Sequence, residues 1–233
     1  KHWSRGLGDV YKRQDLNNDV IAASGTVSMS GQHNTGATYA ISLSGSTSVT
    51  AGTGVTLESL NDNTGTIALL SSGGIDGGSG TVLMRAANYA FGGADRTITT
   101  TGVLTIEPDA DENSFASSFD NQYLNPVNVT GLTLGKSSNA SAITLSRAIS
   151  LSGPVSIYGG SIDVNANITA NSGNILLDAD TGSTLNQSST GILLDDVITI
   201  ETVTSGNLTL IGRSGDTGSG FDGIDASSAN TTT

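Results

Sequence analysis

The chain has 233 residues; Gly, Ser, Thr and Asn make up nearly half of it, 36% is hydrophobic, 4% aromatic and 13% charged, and the formal charge is −12. So few aromatics exclude a core built on Phe, Tyr and Trp. The acidic balance repels phosphate backbones and anionic lipid surfaces, so neither nucleic acid nor a membrane surface is an expected partner. No apolar run approaches the roughly 18 residues of a membrane-spanning helix, and cysteine is absent, so the fold is held without disulfides. Gly/Ser-rich composition also describes flexible linkers. Here, however, Val, Ile and Leu return at short, regular intervals and the charges are scattered singly, which disordered segments do not show.

Residues 1–14, KHWSRGLGDVYKRQ, stand apart. They hold the only Trp (Trp3), one of the two His (His2) and four of the nine basic residues (Lys1, Arg5, Lys12, Arg13). Asp9-Val10-Tyr11-Lys12-Arg13-Gln14 resembles, residue for residue, the translation of a transposase mosaic-end adaptor used in shotgun sequencing libraries. No apolar stretch follows, so a secretion signal does not fit. Residues 1–14 are therefore expected to be a non-native leader, and 15–233, with 5 basic and 20 acidic residues, one repeat region from something longer.

From Asp15 onward a phrase recurs: Ser/Thr-Gly-Thr/Asn, then apolar, any, apolar. It opens as Ser24-Gly25-Thr26-Val27-Ser28-Met29, shortens at Thr53, and returns as Thr64-Gly65-Thr66-Ile67-Ala68-Leu69 and Ser79-Gly80-Thr81-Val82-Leu83-Met84. Each copy predicts a turn followed by a short strand, with two apolar side chains on one face. After a short form at Thr101, residues 107–126 (EPDADENSFASSFDNQYLNP) break the pattern. They are expected to form a loop insertion, with Phe115, Phe119 and Tyr123 tucked against a neighbouring face.

Past Thr130 the rhythm is clearest. Triplets open at Ile143, Ile149, Val155, Ile162 and Ile168, six or seven residues apart. Hairpin sandwiches space their strands by about 8–12 residues and mark them with hairpin turns. Three strands at this closer spacing make a coil of about 19–20 residues, which places Ile143 near Ile162 and Ile149 near Ile168. The predicted fold is all-β: a right-handed parallel β-helix, or β-solenoid. One such coil cannot bury its own apolar face, so neighbouring coils must stack. Ser172-Gly173-Asn174-Ile175-Leu176-Leu177, Thr190 and Ser205-Gly206-Asn207-Leu208-Thr209-Leu210 continue the series, and 212–233 lose the triplets as an irregular end.

The run from Leu132-Thr133-Leu134-Gly135-Lys136 through Ile143-Thr144-Leu145, Ala148 to Gly160 and Ile162 to Thr169 resembles bacterial large exoproteins. These are the filamentous-haemagglutinin-like, β-strand-repeat surface adhesins. The likeness covers about 130–210 well and 20–105 loosely, and Leu185-Asn186-Gln187 also reads like one of their coils. The resemblance implies a segment of a secreted protein at the bacterial cell surface, attaching to an extracellular glycan or protein, without membrane insertion, cofactor or catalysis. The secretion-signal domain of that family is not in this sequence.

Enzyme chemistry finds little to work with. His33 is the sole His outside the leader, in the polar stretch Gly31-Gln32-His33-Asn34-Thr35-Gly36, and no G-x-S-x-G elbow is present. A β-helix polysaccharide lyase or glycoside hydrolase is the alternative, by analogy of fold alone. It would need facing carboxylates, for which Asp163, Asp178, Asp180, Asp195 and Asp196 are the candidates. Their differing places relative to the triplets predict solvated turn acids. Gly218-Ser219-Gly220-Phe221-Asp222-Gly223-Ile224-Asp225 resembles one calcium-binding toxin-repeat phrase, which makes Asp216, Asp222 and Asp225 weak calcium candidates. Asp15-Leu16-Asn17-Asn18-Asp19 has alternating oxygen spacing but lacks the following Gly.

Overall fold

A computed structural model describes residues 14–16, 18–32, 39–60, 64–70, 73–179, 190–195, 197–215 and 221–226. Among them there is no helix. The first four coils contain β1 (Gln14–Leu16), β2 (Val20–Ala22), β3 (Val27–Gly31), β4 (Ile41–Leu43), β5 (Val49–Ala51), β6 (Val55–Ser59), β7 (Thr66–Leu69), β8 (Ile75–Asp76), β9 (Val82–Arg85), β10 (Asn88–Phe91), β11 (Arg96–Thr99) and β12 (Val103–Glu107). Next come β13 (Phe119–Asp120), β14 (Leu124–Val127), β15 (Gly131–Leu134), β16 (Ile143–Leu145), β17 (Ile149–Leu151) and β18 (Val155–Tyr158). The chain continues with β19 (Ile162–Val164), β20 (Ile168–Ser172), β21 (Ile175–Ala179), β22 (Ile192–Leu194), β23 (Ile200–Ser205), β24 (Leu208–Gly212) and β25 (Ile224–Asp225).

All pairing is parallel and joins strands three places apart in the chain, so the chain winds as a parallel β-helix with three faces. The third face is one unbroken eight-stranded sheet from β3 to β24. The first is interrupted between β10 and β13, and the second between β14 and β17. The apolar-x-apolar triplet explains the stacking. On the third face Val27, Val55, Val82, Leu104, Leu132, Val155 and Ile175 fall in register, each less than a tenth exposed, and form one aliphatic column down the interior. Columns of like side chains pack without gaps because each coil repeats the shape below it.

Ile143 faces Ile162 and Ile149 faces Ile168, 19 residues on, and Val155 faces Ile175, 20 on. Elsewhere the coil is longer, from 22 residues between Val82 and Leu104 to 33 between Ile175 and Leu208. Insertions at corners leave the ladders intact, so the coil tolerates them.

The recurring phrase marks a particular corner. The copies at Ser24, Thr53, Ser79, Thr101, Thr130, Ser172 and Ser205 all lead into third-face strands, whereas those at Thr64 and Thr190 lead into the first face. At that corner successive coils approach too closely for a side chain. A Cβ on Gly80 would lie 1.7 Å from the Thr53 carbonyl oxygen, and one on Gly206 1.9 Å from that of Gly173. Gly206 also has φ of +134°, a conformation other residues rarely adopt.

Segment 107–126, expected as a loop insertion with its aromatics tucked against a neighbouring face, is irregular from 108 to 118 and then rejoins the helix. It contains β13 and the start of β14, and Phe115 and Phe119 are 4% exposed within the core. These two large aromatic side chains supply apolar surface to the core where the triplets are missing. The expected irregular end retains one rung, since Ile224 of β25 pairs with Ile192. Residues 1–13 of the expected leader, together with 216–220 and 227–233, lie outside the described residues; Gln14 opens β1 opposite Ile41.

Candidate binding site

The two interruptions have separate causes. On the second face, Arg96 and Thr100 donate to the Tyr123 and Val127 carbonyls of the next coil. By the alternation of a parallel ladder, Asn125 and Val127 face β11, so Pro126 faces onward toward β17. Proline has no N–H to donate there, which makes β14 an edge.

On the first face the cause is aromatic. Tyr89 and Phe91 stack with centroids 6.3 Å apart, and Phe115 and Phe119 stack at 5.6 Å. The two pairs meet edge to face: Tyr89 lies 5.8 Å from Phe115 and 5.7 Å from Phe119, and Phe91 lies 6.0 Å from Phe119. Edge-to-face rings need more room than the roughly 4.8 Å between hydrogen-bonded strands, so the ladder opens where they meet.

The opening is a cleft of about 160 Å³. Phe115 and Phe119 are its buried floor, while the half-buried rings of Tyr89 and Phe91 face into it. The polar rim comprises Asn88, Ser117, Ser118 and Asp120, the last three exposed. One end is closed by Ala116, whose N–H donates to the Ala87 carbonyl at 2.8 Å, and by the Ser117 hydroxyl, which donates to Asn88 Oδ1 at 2.8 Å.

Backbone groups also line the opening. Asn88 and Gly92 donate back to Gly65 and Leu69, so Tyr89 and Phe91 present their N–H and C=O forward into the seam. From the other side Phe119 and Asn121 donate onward to Ala142 and Thr144, which turns the backbone of Ser118 and Asp120 toward the same seam. Tyr89 is anchored at its far end: its hydroxyl lies 2.7 Å from the Met84 carbonyl and 2.8 Å from that of Glu107, and donates to one of them at a time. Burial, reinforced by the Glu107 charge, holds that hydroxyl well above its usual pKa. Asp120, an exposed residue of the rim, accepts the Gln122 N–H through Oδ1 at 2.9 Å.

Of the carboxylates singled out from sequence, Asp163 lies on the first face in β19 and Asp178 on the third in β21, so the fold does not bring these two together. Burial, then the Asn165 side chain acting in opposition and the charges of Asp195 and Asp120, leave the Asp163 carboxyl above its usual pKa. Asp180, Asp196 and His33 lie outside the described residues. Among the calcium candidates, Asp222 accepts the Gly191 N–H through its backbone carbonyl at 3.0 Å and Asp225 pairs with Leu193, while Asp216 lies outside. Among the described residues no group of three or more His, Cys, Asp or Glu is placed to hold a metal ion.

Sequence reasoning anticipated Phe115 and Phe119 but not their partners Tyr89 and Phe91. The signal was present in Asn88-Tyr89-Ala90-Phe91, an alternating aromatic pair in a chain with ten aromatic residues. Comparisons with family models, with curated proteins and with solved structures find no match to this chain.

Proposed function

We propose that this chain is a structural and binding segment of a large secreted bacterial surface adhesin of the filamentous-haemagglutinin-like kind, a rod that carries ligand-contacting faces at the cell surface. The observation supporting this reading is the parallel pairing of strands three places apart along the chain. Each coil is partnered only by the coils before and after it, so the unit can be added repeatedly, and reach along one axis is what such a fold supplies. The partner is an extracellular glycan or protein. A strongly acidic surface with few cations favours recognition through stacking and hydrogen bonds over recognition of anions.

A polysaccharide-degrading β-helix enzyme is the second reading, and the raised Asp163 carboxyl beside Asp195 and Asp120 is the observation that favours it. One experiment separates the two. Beads carrying the full chain are passed under flow over neutral polysaccharide, sulfated polysaccharide and a matrix protein, and soluble polysaccharide is assayed for new reducing ends or unsaturated products. Retention on at least one coating without turnover is expected. Retention on none, or turnover abolished by Asp163→Asn, overturns the adhesin reading.

A further inference from the structure

We propose that the cleft between β10 and β13 binds a single neutral hexose ring at the end of a glycan chain, an inference that rests on the adhesin reading and names the ligand for it. A cavity of about 150 Å³ accommodates one benzene-sized ring, and this cleft has about 160 Å³. A hexose has twice the heavy atoms of benzene, so it would seat one edge or face in the cleft and keep the rest in solvent. The lining selects which ring does so. Tyr89 and Phe91 offer aromatic faces, which pair with the C–H face of a pyranose, and the rim above them is polar throughout.

The rim groups match hydroxyls in kind as well as in number. Asn88 Oδ1 is occupied by Ser117, so its Nδ2 is left to donate. Asp120 has one oxygen held by Gln122 and the other available to accept from a hydroxyl. Ser118 can do either. The N–H and C=O groups of Tyr89, Phe91, Ser118 and Asp120 that the open ladder turns into the seam add further donors and acceptors. A purely apolar ring would leave these desolvated and unsatisfied.

Two other occupants are disfavoured on the same observations. An added peptide strand needs two strand spacings, about 9.6 Å, between the edges. The Ala116 N–H and the Ala87 carbonyl join the two edges directly at 2.8 Å at one end of the seam, so no added strand can pass between them there. An acidic sugar would meet the Asp120 carboxylate with no Lys or Arg in the lining.

The test is aromatic-ring NMR of the full chain titrated with methyl glycosides of glucose, galactose and mannose, with methyl glucuronide and benzyl alcohol as counter-probes. At least one neutral glycoside should shift the Phe91 and Phe119 resonances with a Kd around millimolar, the affinity a single small ring can reach. Asp120→Ala and Ser118→Ala, both at exposed rim positions, should each weaken it about fivefold or more with melting temperature unchanged, and glucuronide should bind more weakly. No shift with any neutral glycoside overturns the inference. So does benzyl alcohol binding as well as the glycosides and insensitive to both variants. Beads retained under flow while no glycoside shifts these rings would remove the cleft proposal and leave the adhesin reading. Glycoside shifts without retention on any coating would remove the adhesin reading alone.

Discussion

Asn121 stands in for a missing rung of the second face: its Oδ1 accepts the Arg147 N–H and its Nδ2 donates to the Arg147 carbonyl, both at 2.9 Å. The side-chain amide carries the same donor and acceptor as a peptide unit, so it stitches the two coils together where Pro126 cannot. Arg147 strengthens the joint through Asp95, with Nη2 2.9 Å from Oδ2, and holds the Asp95 carboxyl below its usual pKa.

Asn121→Ala should therefore lower stability by about 1–3 kcal/mol, because it leaves two backbone groups of Arg147 without partners in a place where Asn121 itself is 2% exposed. Asn121→Asp keeps the acceptor, loses the donor and should fall between the two. Denaturant titration checks both. An alanine variant as stable as the parent would mean that water replaces the amide without loss.

Gly80 and Gly25 occupy the same place in the same phrase but in different surroundings. A Cβ on Gly80 would lie 1.7 Å from the Thr53 oxygen, whereas nothing lies within 4 Å of one on Gly25. Gly80→Ala should cost about 1–3 kcal/mol through forced separation of two coils. Gly25→Ala should stay within about 0.5 kcal/mol. Thermal melts of the pair decide it, and equal effects would show that the corner column is not sterically limited.

Hydrogen exchange should expose the seam. The amides of Tyr89, Phe91, Ser118 and Asp120 point into an open ladder, while those of Thr144 and Asp163, further along the same face, lie within paired strands. The first group should exchange faster by about a hundredfold or more, since no rung needs to break. Comparable protection in both groups would contradict an open seam in solution.

Asp109 is 4% exposed and its Oδ2 makes no hydrogen bond, so burial raises its carboxyl pKa, with Glu58 and Asp111 adding to the effect and the Ala110 and Asp111 N–H groups opposing it. Lys136 Nζ approaches only its backbone carbonyl, at 3.0 Å. A carboxyl whose folded pKa exceeds its unfolded one carries no penalty below the unfolded value. The penalty grows as pH rises above the unfolded value and is complete once pH has passed the folded one. Asp109→Asn should thus raise the melting temperature at pH 7, and the gain should vanish below the ordinary Asp pKa of about 3.9. A gain over the parent no larger at pH 7 than at pH 3 would refute the linkage.

Much of the architecture is legible in the residues because it is periodic. The triplets at Ile143, Ile149, Val155, Ile162 and Ile168 yield both the coil length and the pairing partners later found in register. Period-two alternation fixes which side chains turn inward, and a repeated phrase fixes where the chain turns, so local chemistry and the global fold agree at each coil. In segment 107–126 the loss of triplets is a local property that the sequence shows, whereas the particular partners that bury Phe115 and Phe119 lie a coil roughly thirty residues earlier.

The sequence alone determined the fold class, the stacking axis and the glycine-lined corner, since each follows from spacings within one or two coils. Only the tertiary structure decided where the ladders open and what lies in the gap. That Pro126 faces onward toward β17, that Asn121 reaches the Arg147 backbone, and that Tyr89, Phe91, Phe115 and Phe119 meet edge to face are consequences of register between coils of unequal length. Register across a variable-length coil is set by the summed packing of all three faces, and no single stretch of sequence contains that sum.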